Sequence, residues 1–562
     1  MFNFAWFKSS KEEEAAQPTW NANTLTMEQP ASPAALQQQQ VVTDQPSSQE
    51  PMQMNLRGGG GGGVCCGMLN ARQRQCGPIP KYPSDWLGIS TLREVMRADK
   101  AKMIPPTFRG RFETLRQQEN RLVTTFRQVQ LGRESIVTFD PKNVQAVLAT
   151  QFKDFELGEP RRNALHSLLG SGIFTADGEA WSRSRGLLRP QFTRDQISDL
   201  DLEERHVQAA MLAIPVDAST GWSPATDIQS IFFRLTIDSA TEFLFGESVD
   251  SQTAVVNGHI SEDKFPYYFD RGQWYAAQRG RLESFYWMAN NKESHFIDSQ
   301  VHSYVDRFVT AALEQRKNED SEKSAPESQQ HYNFLNGLAG VTQDPIELRS
   351  QLLNILLAGR DTTASLLSWC ILLLARHPDV FQKLRATILE TFGTYDAPRD
   401  ITFGGLKSCR YLHQVINEVL RLYPIVPGNR RVATRDTTLP RGGGPDGESP
   451  VYVRKGQPVV YHVFAMQRRT DLWGPDADTF DPERWVDRKV NWDYLPFNGG
   501  PRICIGQQFA LTETGYVLVR LLQRFDRIED VNPQQEIRYG LTLTLAPADL
   551  VTVRLHEASA TT

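Results

Sequence analysis

Apolar residues recur at three- and four-residue spacing through much of the chain, and this pattern predicts a mainly helical fold. The predicted amphipathic helices cover residues 179–196, 224–246, 299–316, 346–376 and 410–422. Alternating and β-branched runs predict short strands within residues 121–138, 451–463 and 541–555. The polar segment 317–330 predicts a loop between two helices. The expected fold class is therefore mainly α with small β-sheets.

The first 75 residues lack this periodicity. They contain a run of glutamines at 37–40 and a run of glycines at 58–63. Such a composition buries too little apolar surface to offset the entropy of ordering, so we expect residues 1–75 to form a disordered leader and residues 76–562 to form one folded domain. The leader has no apolar run near the ~20 residues of a membrane helix, and no signal-peptide pattern. Membrane association is therefore expected, if at all, from an apolar surface of the folded domain.

Composition narrows the class of protein. The 562 residues can bury a large core, and the net charge of −5 gives no broad attraction for nucleic acid. Three of the six cysteines fall near the N-terminal region, and the others lie far apart without zinc-type or disulfide-type spacing. This distribution predicts a reducing compartment and no disulfide framework.

The most apolar stretch, LLSWCILLLA at 366–375, raises the question of a membrane span. It is about half as long as the ~20 residues required. Arg360 and Asp361 precede it in the same predicted helix. We therefore expect a buried core helix.

Cys504 stands in the stretch FNGGPRICIG, directly before a predicted long helix. A helix N-terminus favours a thiolate, and Gly500 and Gly506 allow backbone N–H groups and a flat ligand to approach the sulfur. Phe497 can shield the sulfur from water, and Arg502 supplies a cation two residues away. These features suit a thiolate that ligates a metal cofactor with acidic groups. Haem fits, because its propionates favour arginine.

The second motif is AGRDTT, residues 358–363, inside an apolar helix. A glycine inside a helix costs about 1 kcal/mol relative to alanine, and a charged residue among leucines is also unfavourable, so both indicate function. Gly359 would allow close approach to a flat ring. The Thr362 hydroxyl can bond the carbonyl of Ala358 and open the helix for dioxygen and water. Asp361 beside Thr362 can then form a proton relay.

These two motifs resemble the haem-thiolate signature and the oxygen-activating motif of the cytochrome P-450 monooxygenases. The resemblance implies haem b with the Cys504 thiolate as axial iron ligand. It also implies that Trp181 and Arg185 clamp a propionate, as in the family's Trp-x-x-x-Arg pattern. Arg431 matches the position that reaches a propionate from a strand, with Arg430 as the alternative.

A third motif, NEVLRLYP, places Glu418 and Arg421 three residues apart on one helical face. Taken alone, this is an ordinary ion pair. The resemblance implies instead a buried structural triad, completed by Arg484 of the segment DPERW.

Three longer runs narrow the resemblance, which covers roughly residues 76–558. They are GIFTADGEAW, LRLYPIVPGNRRVATRDTTLPRGGG and YHVFAMQRRTDLWGPDADTFDPERW. They look like the fungal alkane and fatty-acid ω-hydroxylases. That family implies two electrons from an NADPH-cytochrome P-450 reductase, insertion of one oxygen atom into an aliphatic C–H bond, and a place on the cytosolic face of the endoplasmic reticulum membrane. The absence of a membrane helix from the leader leaves a cytoplasmic location open.

An aliphatic pocket would agree with an alkyl substrate. The residues expected to line it are Leu352, Leu353, Leu356, Leu357, Ile425, Val426, Leu541 and Leu543. Plain core packing explains each of them equally well. Three other functions stay open: oxidation of another apolar compound such as a secondary metabolite, a haem-thiolate isomerase or dehydratase, and a non-catalytic haem-binding or scaffold chain. The Asp361–Thr362 pair argues against the isomerase.

Overall fold

The computed structural model describes residues 20–21, 26–27, 75–192, 200–258, 264–321 and 333–559. Within the predicted leader it describes Gln75 and two strands, β1 (Trp20–Asn21) and β2 (Thr26–Met27), which pair antiparallel. The prediction of a disordered leader otherwise lies outside the described residues. The same holds for most of the predicted loop 317–330. Its first residues belong to a helix that continues to Ser321, so the loop prediction is wrong there.

Helices make up most of the described chain, which confirms the predicted fold class. The helices of the first half are α1 (Ile89–Lys100), α2 (Ile104–Glu119), α3 (Pro141–Gln145), α4 (Glu159–Leu169), α5 (Gly178–Leu188), α6 (Asp201–Leu212), α7 (Ile228–Phe245), α8 (Ser251–Val256), α9 (Phe265–Leu282) and α10 (Lys292–Ser321). The helices of the second half are α11 (Phe334–Ala339), α12 (Pro345–Arg376), α13 (Pro378–Phe392), α14 (Phe403–Ser408), α15 (Arg410–Leu422), α16 (Val463–Met466), α17 (Thr470–Trp473) and α18 (Gln507–Arg524).

The sheets are small. Their strands are β3 (Thr125–Gln130), β4 (Arg133–Thr138), β5 (Phe155–Glu156), β6 (Thr226–Asp227), β7 (Asn429–Ala433), β8 (Thr437–Gly443), β9 (Ser449–Val453), β10 (Pro458–Tyr461), β11 (Phe525–Asp530), β12 (Tyr539–Leu541), β13 (Leu545–Pro547) and β14 (Thr552–Glu557). The largest sheet has the order β3-β4-β10-β7-β5, and only the β4–β10 pair in it is parallel. The others are β11-β14-β6 and the hairpins β8-β9 and β12-β13.

Helix α12 is the central element. The side chain of Asp344 caps it by accepting from the N–H groups of Ile346 (2.9 Å) and Glu347 (3.3 Å), and Pro345 fits the first turn. Among the described residues it is the one helix long and apolar enough to cross a membrane, and 83% of its apolar window is buried inside the protein. The expectation of a buried core helix is confirmed.

Two helix boundaries differ from the pattern. The helix predicted over 179–196 ends at Leu188 and passes into a 3₁₀ turn, Arg189–Phe192, because Pro190 has no N–H to continue the ladder. The helix predicted over 224–246 begins at Ile228, where Asp227 accepts from the N–H of Ser230 (3.2 Å) and so caps the first turn.

Two apolar cores meet along α12. Leu348 to Leu357 pack in one core with α4, α7, α9 and α10, and Ala364 to Ala375 pack in another with α13, α15 and α18. The motif at 358–363 lies between these two cores. The packing therefore places the polar residues of α12 at a junction of cores.

Candidate active site

The loop that carries Cys504 is fixed by the turn before it and the helix after it. A short 3₁₀ turn covers Gly500–Arg502, and α18 begins at Gln507. The N–H of Cys504 donates to the carbonyl oxygen of Phe497 at 2.9 Å. Cys504 thus stands three residues before the first helical residue, as the sequence predicted.

Two of the glycines in this loop are required by neighbouring protein atoms. Gly500 has φ +66°, and a Cβ there would lie 1.9 Å from the carbonyl oxygen of Leu148. At Gly499 a Cβ would lie 2.7 Å from the ring of Trp492. At Gly506 the nearest atom, in the ring of Phe192, is 3.7 Å away, so there is room for a methyl group. Close packing of the loop therefore explains the first two glycines.

Burial raises the pKa of the Cys504 thiol, whereas a backbone N–H from Gly506 and the charge of Arg185 oppose that shift. Arg185 is held beside it, because its Nη1 donates to the carbonyl oxygen of Ile503 at 3.1 Å. A bound metal cation deprotonates a coordinating thiol outright. The site therefore favours a thiolate most strongly in the presence of a metal.

Four arginines act on one another beside this loop: Arg161, Arg185, Arg431 and Arg502. Burial lowers the pKa of Arg161 and Arg185 to about 10 and that of Arg502 to about 9. Asp177 accepts from Arg502 at 2.8 Å, and it also accepts from two backbone N–H groups. The cluster has more cations than this one carboxylate neutralises, so it is suited to a ligand with acidic groups.

The structure also distinguishes the two arginines of β7. Arg431 is 3% exposed and lies over the ring of Tyr461, on the side of the arginine cluster. Arg430 instead donates to Glu283 at 3.1 Å. Successive side chains of a strand point to opposite faces, so Arg430 and Arg431 meet different partners.

Trp181 and Arg161 complete the cluster. The guanidinium of Arg502 lies 4.5 Å from the ring centre of Trp181, which is buried. Arg161 donates to the carbonyl oxygen of Phe174 (3.0 Å) and to Asn429 Oδ1 (3.1 Å). Sequence reasoning missed Arg161, since the stretch GEPRRNA around it fits no motif used above.

In α12, the Thr362 hydroxyl donates to the carbonyl oxygen of Ala358 at 2.6 Å, as predicted. A Cβ at Gly359 would lie 3.9 Å from Ala240 Cβ, an ordinary contact, so the described protein atoms leave room for a methyl group there. The hydrogen bond from Thr362 to Ala358 therefore lies within the motif 358–363, as the sequence predicted.

Asp361 is buried, and its partners differ from the expected relay. It accepts from Arg360 at 3.0 Å and from the amide of Gln273, and no described hydrogen bond joins it to Thr362. Arg360 also forms two hydrogen bonds with Asp270 of α9. Burial raises the pKa of Asp361 to about 6, although Arg360 opposes the shift. A group with that pKa can both hold and release a proton near neutral pH.

Glu418 and Arg421 form a fully buried ion pair. Arg421 donates to both carboxylate oxygens of Glu418, at 2.8 and 2.7 Å. Arg484 approaches Glu418 at 3.5 Å and pairs more closely with Asp476 at 2.7 Å. Trp485, which the sequence did not single out, donates to Glu418 at 3.0 Å.

We expect Glu418→Gln to destabilise the folded protein by about 3–5 kcal/mol, because Arg421 would keep a buried charge without a counter-charge. Thermal unfolding followed by circular dichroism measures the loss. Glu113→Gln, which breaks the exposed pair with Arg116, serves as the control and should change stability little. An equal, small shift in both variants would contradict a structural role for Glu418.

The residues expected to line a pocket lie in or beside the same cores. Leu352, Leu353, Leu356 and Leu357 are buried, and Leu543 packs against their cluster. The N–H of Leu545 donates to the carbonyl oxygen of Ile425 at 2.9 Å, which ties the β12-β13 hairpin to the segment after α15. Leu541 packs on the neighbouring core, and Val426 is 38% exposed. Leu543 thus shares a core with the α12 leucines, whereas Ile425 and Leu541 belong to the other core.

The family model described as cytochrome P450 matches residues 107–550. The chain belongs to the cytochrome P-450 family.

Several curated relatives of this cytochrome P-450 are fungal. It is 49% identical over 492 residues to cytochrome P-450 monooxygenase g430 of a Fusarium species, covering 86% of this chain and 85% of that protein. It is 49% identical to cytochrome P-450 52A13 of Debaryomyces hansenii, covering 76% and 82%. It is 48% identical to cytochrome P-450 52A4 of Candida maltosa, covering 76% and 80%. The chain is therefore a cytochrome P-450 monooxygenase. The relatives that carry the 52A designation confirm the resemblance to the fungal family that the three longer sequence runs indicated.

A solved structure agrees with the fold. The crystal structure of a cytochrome P-450 (CYP102L1) aligns with a TM-score of 0.66 and 26% identity, covering 86% of this chain and all of the other. The family implies a haem-thiolate centre. The residues present fit that group, because a half-buried cysteine just before a helix N-terminus stands beside an arginine cluster that has spare positive charge.

Proposed function

We propose that this cytochrome P-450 hydroxylates the terminal carbon of a long alkyl chain, in an alkane or a fatty acid. The observation that supports this proposal is that aliphatic side chains of α12, of the segment after α15 and of the β12-β13 hairpin lie in or against the two cores that meet along α12. An aliphatic wall without charge favours an alkyl chain and discriminates little by hydrogen bonding.

In this proposal, Cys504 would ligate the iron of haem b, and Phe497 would shield its sulfur from water. Gly500 and Gly506 shape the loop around that sulfur. Arg502, Arg185 and Arg431 hold the propionates together with Trp181 and Arg161. When bound, the haem would supply the oxidising chemistry.

In the same proposal, Thr362 and Asp361 of α12 deliver protons. The Thr362 hydroxyl, already bonded to the carbonyl of Ala358, donates towards the oxygen site, and Asp361 replenishes that proton after it turns from Arg360. Gly359 keeps the turn narrow beside the ring. We further propose that two electrons come from NADPH through an NADPH-cytochrome P-450 reductase.

A panel of alkanes and fatty acids of graded length, incubated with that reductase and NADPH, tests the substrate proposal. Terminal alcohols should dominate. The terminal C–H bond is the strongest in the chain, so this result requires a site that confines the alkyl chain and presents only its end for oxidation. Products are located by mass spectrometry against authentic standards. Oxidation mainly in mid-chain or on aromatic compounds would contradict terminal hydroxylation but would still agree with monooxygenase activity.

Another apolar substrate, such as a secondary metabolite, is a second candidate. The relative g430 matches over 492 residues, more of this chain than the 436 residues matched by 52A13. Untargeted product analysis with the same reductase separates the two. Turnover without NADPH or oxygen would point instead to an isomerase, and purified protein without a Soret band would point to a non-catalytic chain.

We also propose contact with a membrane surface, at the cytosolic face of the endoplasmic reticulum. The 3₁₀ turn Glu283–Ala289 exposes Phe285, Trp287 and Met288, at 41%, 59% and 62%. Aromatic and apolar side chains at this density suit the interfacial layer of a bilayer.

The double variant Trp287→Ser/Met288→Ser should sediment severalfold less with phosphatidylcholine vesicles, because it removes most of that apolar surface. Leu212→Ser, at another exposed apolar residue, is the matched control and should leave sedimentation unchanged. Deletion of residues 1–75 should also leave it unchanged. Release from vesicles on deletion of the leader would contradict this assignment.

A further inference from the structure

Two arginine ion pairs fasten the end of α9 to α1, β12 and β7. Arg281 donates to Asp99 of α1 at 2.9 Å and to the carbonyl oxygen of Leu541 at 2.7 Å. Two residues further along, Glu283 accepts from Arg430 of β7 at 3.1 Å. Both pairs adjoin segments that supply the proposed alkyl site, β12 in the first case and the chain after Ile425 in the second.

Arg281 and Arg430 differ in the number of groups that accept hydrogen bonds from them. Arg281 bridges a carboxylate and a backbone carbonyl, as expected of a structural clip. Among the described residues, Glu283 is the one ion-pair partner of Arg430. The side chains of Arg430 and Glu283 are 18% and 20% exposed, so this pair is reachable from solvent.

The surroundings of Arg430 carry an excess of positive charge. Arg133 acts on Arg430, and Arg430 in turn acts on Arg161. Burial lowers the pKa of Arg430, and Glu283 opposes that shift. Among the described residues Glu283 alone pairs with Arg430, so a further anion would be favoured beside this arginine.

Glu283 is held in an unfavourable backbone conformation. Its φ is +48° with ψ −112°, a region that residues with a side chain rarely adopt. It begins the turn that exposes Phe285, Trp287 and Met288. A cation with a single carboxylate partner therefore stands beside a turn of exposed apolar side chains, which is the pattern that an amphiphile with a carboxylate head would fit.

We propose that Arg430 binds the carboxylate of a fatty-acid substrate at the entrance, in exchange for Glu283, and so directs the enzyme to fatty acids rather than alkanes. The exchange replaces one ion pair by another and leaves the charge on Arg430 balanced. This inference rests on the proposed alkyl-chain hydroxylation.

Arg430→Gln tests the inference with a fatty acid and its methyl ester as paired substrates. A charge-assisted hydrogen bond to a carboxylate predicts a rise in KM for the acid of about tenfold to a hundredfold, with kcat and the KM for the ester little changed. Arg430→Lys should restore part of the acid affinity. Glu283→Gln should lower the KM for the acid, because it removes the competing carboxylate.

Binding is measured separately from turnover, by displacement of a fluorescent fatty acid, so the result does not depend on which carbon is oxidised. Arg349→Gln, which breaks a different arginine pair with Asp306, is the matched control and should behave as the unaltered enzyme. An unchanged acid affinity in Arg430→Gln, or an equal loss for acid and ester, would overturn the inference. Tight, Arg430-dependent acid binding with no terminal product would uphold it and contradict the proposed regiochemistry.

Discussion

Replacing Cys504 by alanine is expected to abolish the thiolate signature of the reduced carbon-monoxide complex. Alanine offers no ligand, and the other described cysteines lie in different surroundings. Cys370 and Cys409 are buried in the apolar core, and burial raises the pKa of both thiols. At Cys409 a backbone hydrogen bond opposes that shift. The purified variant should show no band of thiolate-ligated haem in the reduced carbon-monoxide difference spectrum.

Cys370→Ala is the matched control. It too removes a thiol, in this case a fully buried one, yet it should keep the full thiolate band and lose only packing energy. Haem content measured in parallel separates loss of the ligand from failure to fold. A normal thiolate band in Cys504→Ala would remove Cys504 from the iron site.

Replacing Thr362 by alanine is expected to retain haem while product formed per NADPH falls sharply. The variant loses the hydroxyl that donates to Ala358 at 2.6 Å, so protons reach the oxygen site without control and peroxide is released. General acid assistance typically contributes 10²–10⁴-fold, which sets the scale of the expected loss in product formation. The measurements are NADPH consumption, peroxide and product in one assay.

Ser368→Ala is the matched control for this change. Ser368 lies in the same helix and also donates to the carbonyl four residues earlier, Ala364, at 2.7 Å. It should leave the ratio of product to NADPH unchanged. Unchanged coupling in Thr362→Ala would exclude Thr362 from proton delivery.

The sequence was most informative where chemistry conflicts with packing. A glycine and an aspartate inside an apolar helix, and a cysteine in a glycine-rich loop, are unfavourable as plain structure. The Thr362 hydrogen bond and the position of Cys504 before α18 agree with what those anomalies predicted. The period of apolar residues likewise predicted α12 and α15 closely, because long amphipathic or buried helices leave a strong pattern.

Side-chain partners that come from distant segments could not be predicted. Arg161 joins the arginine cluster, and Asp270 reaches Arg360, through contacts that depend on how helices pack. The motif AGRDTT contains Arg360, yet nothing local shows that this arginine turns to α9 and to Asp361. The glycine at 500 is a similar case, since its neighbour Leu148 lies in a separate turn.

Oxygen-18 labelling tests the central claim most directly. The unaltered protein, with a reductase, NADPH and a long-chain fatty acid, is supplied with labelled dioxygen in unlabelled water, and the terminal alcohol is analysed by mass spectrometry. We expect one labelled oxygen atom at the terminal carbon, with formation of the alcohol dependent on NADPH. An unlabelled alcohol, or the same product without NADPH, would contradict a monooxygenase acting at the chain end.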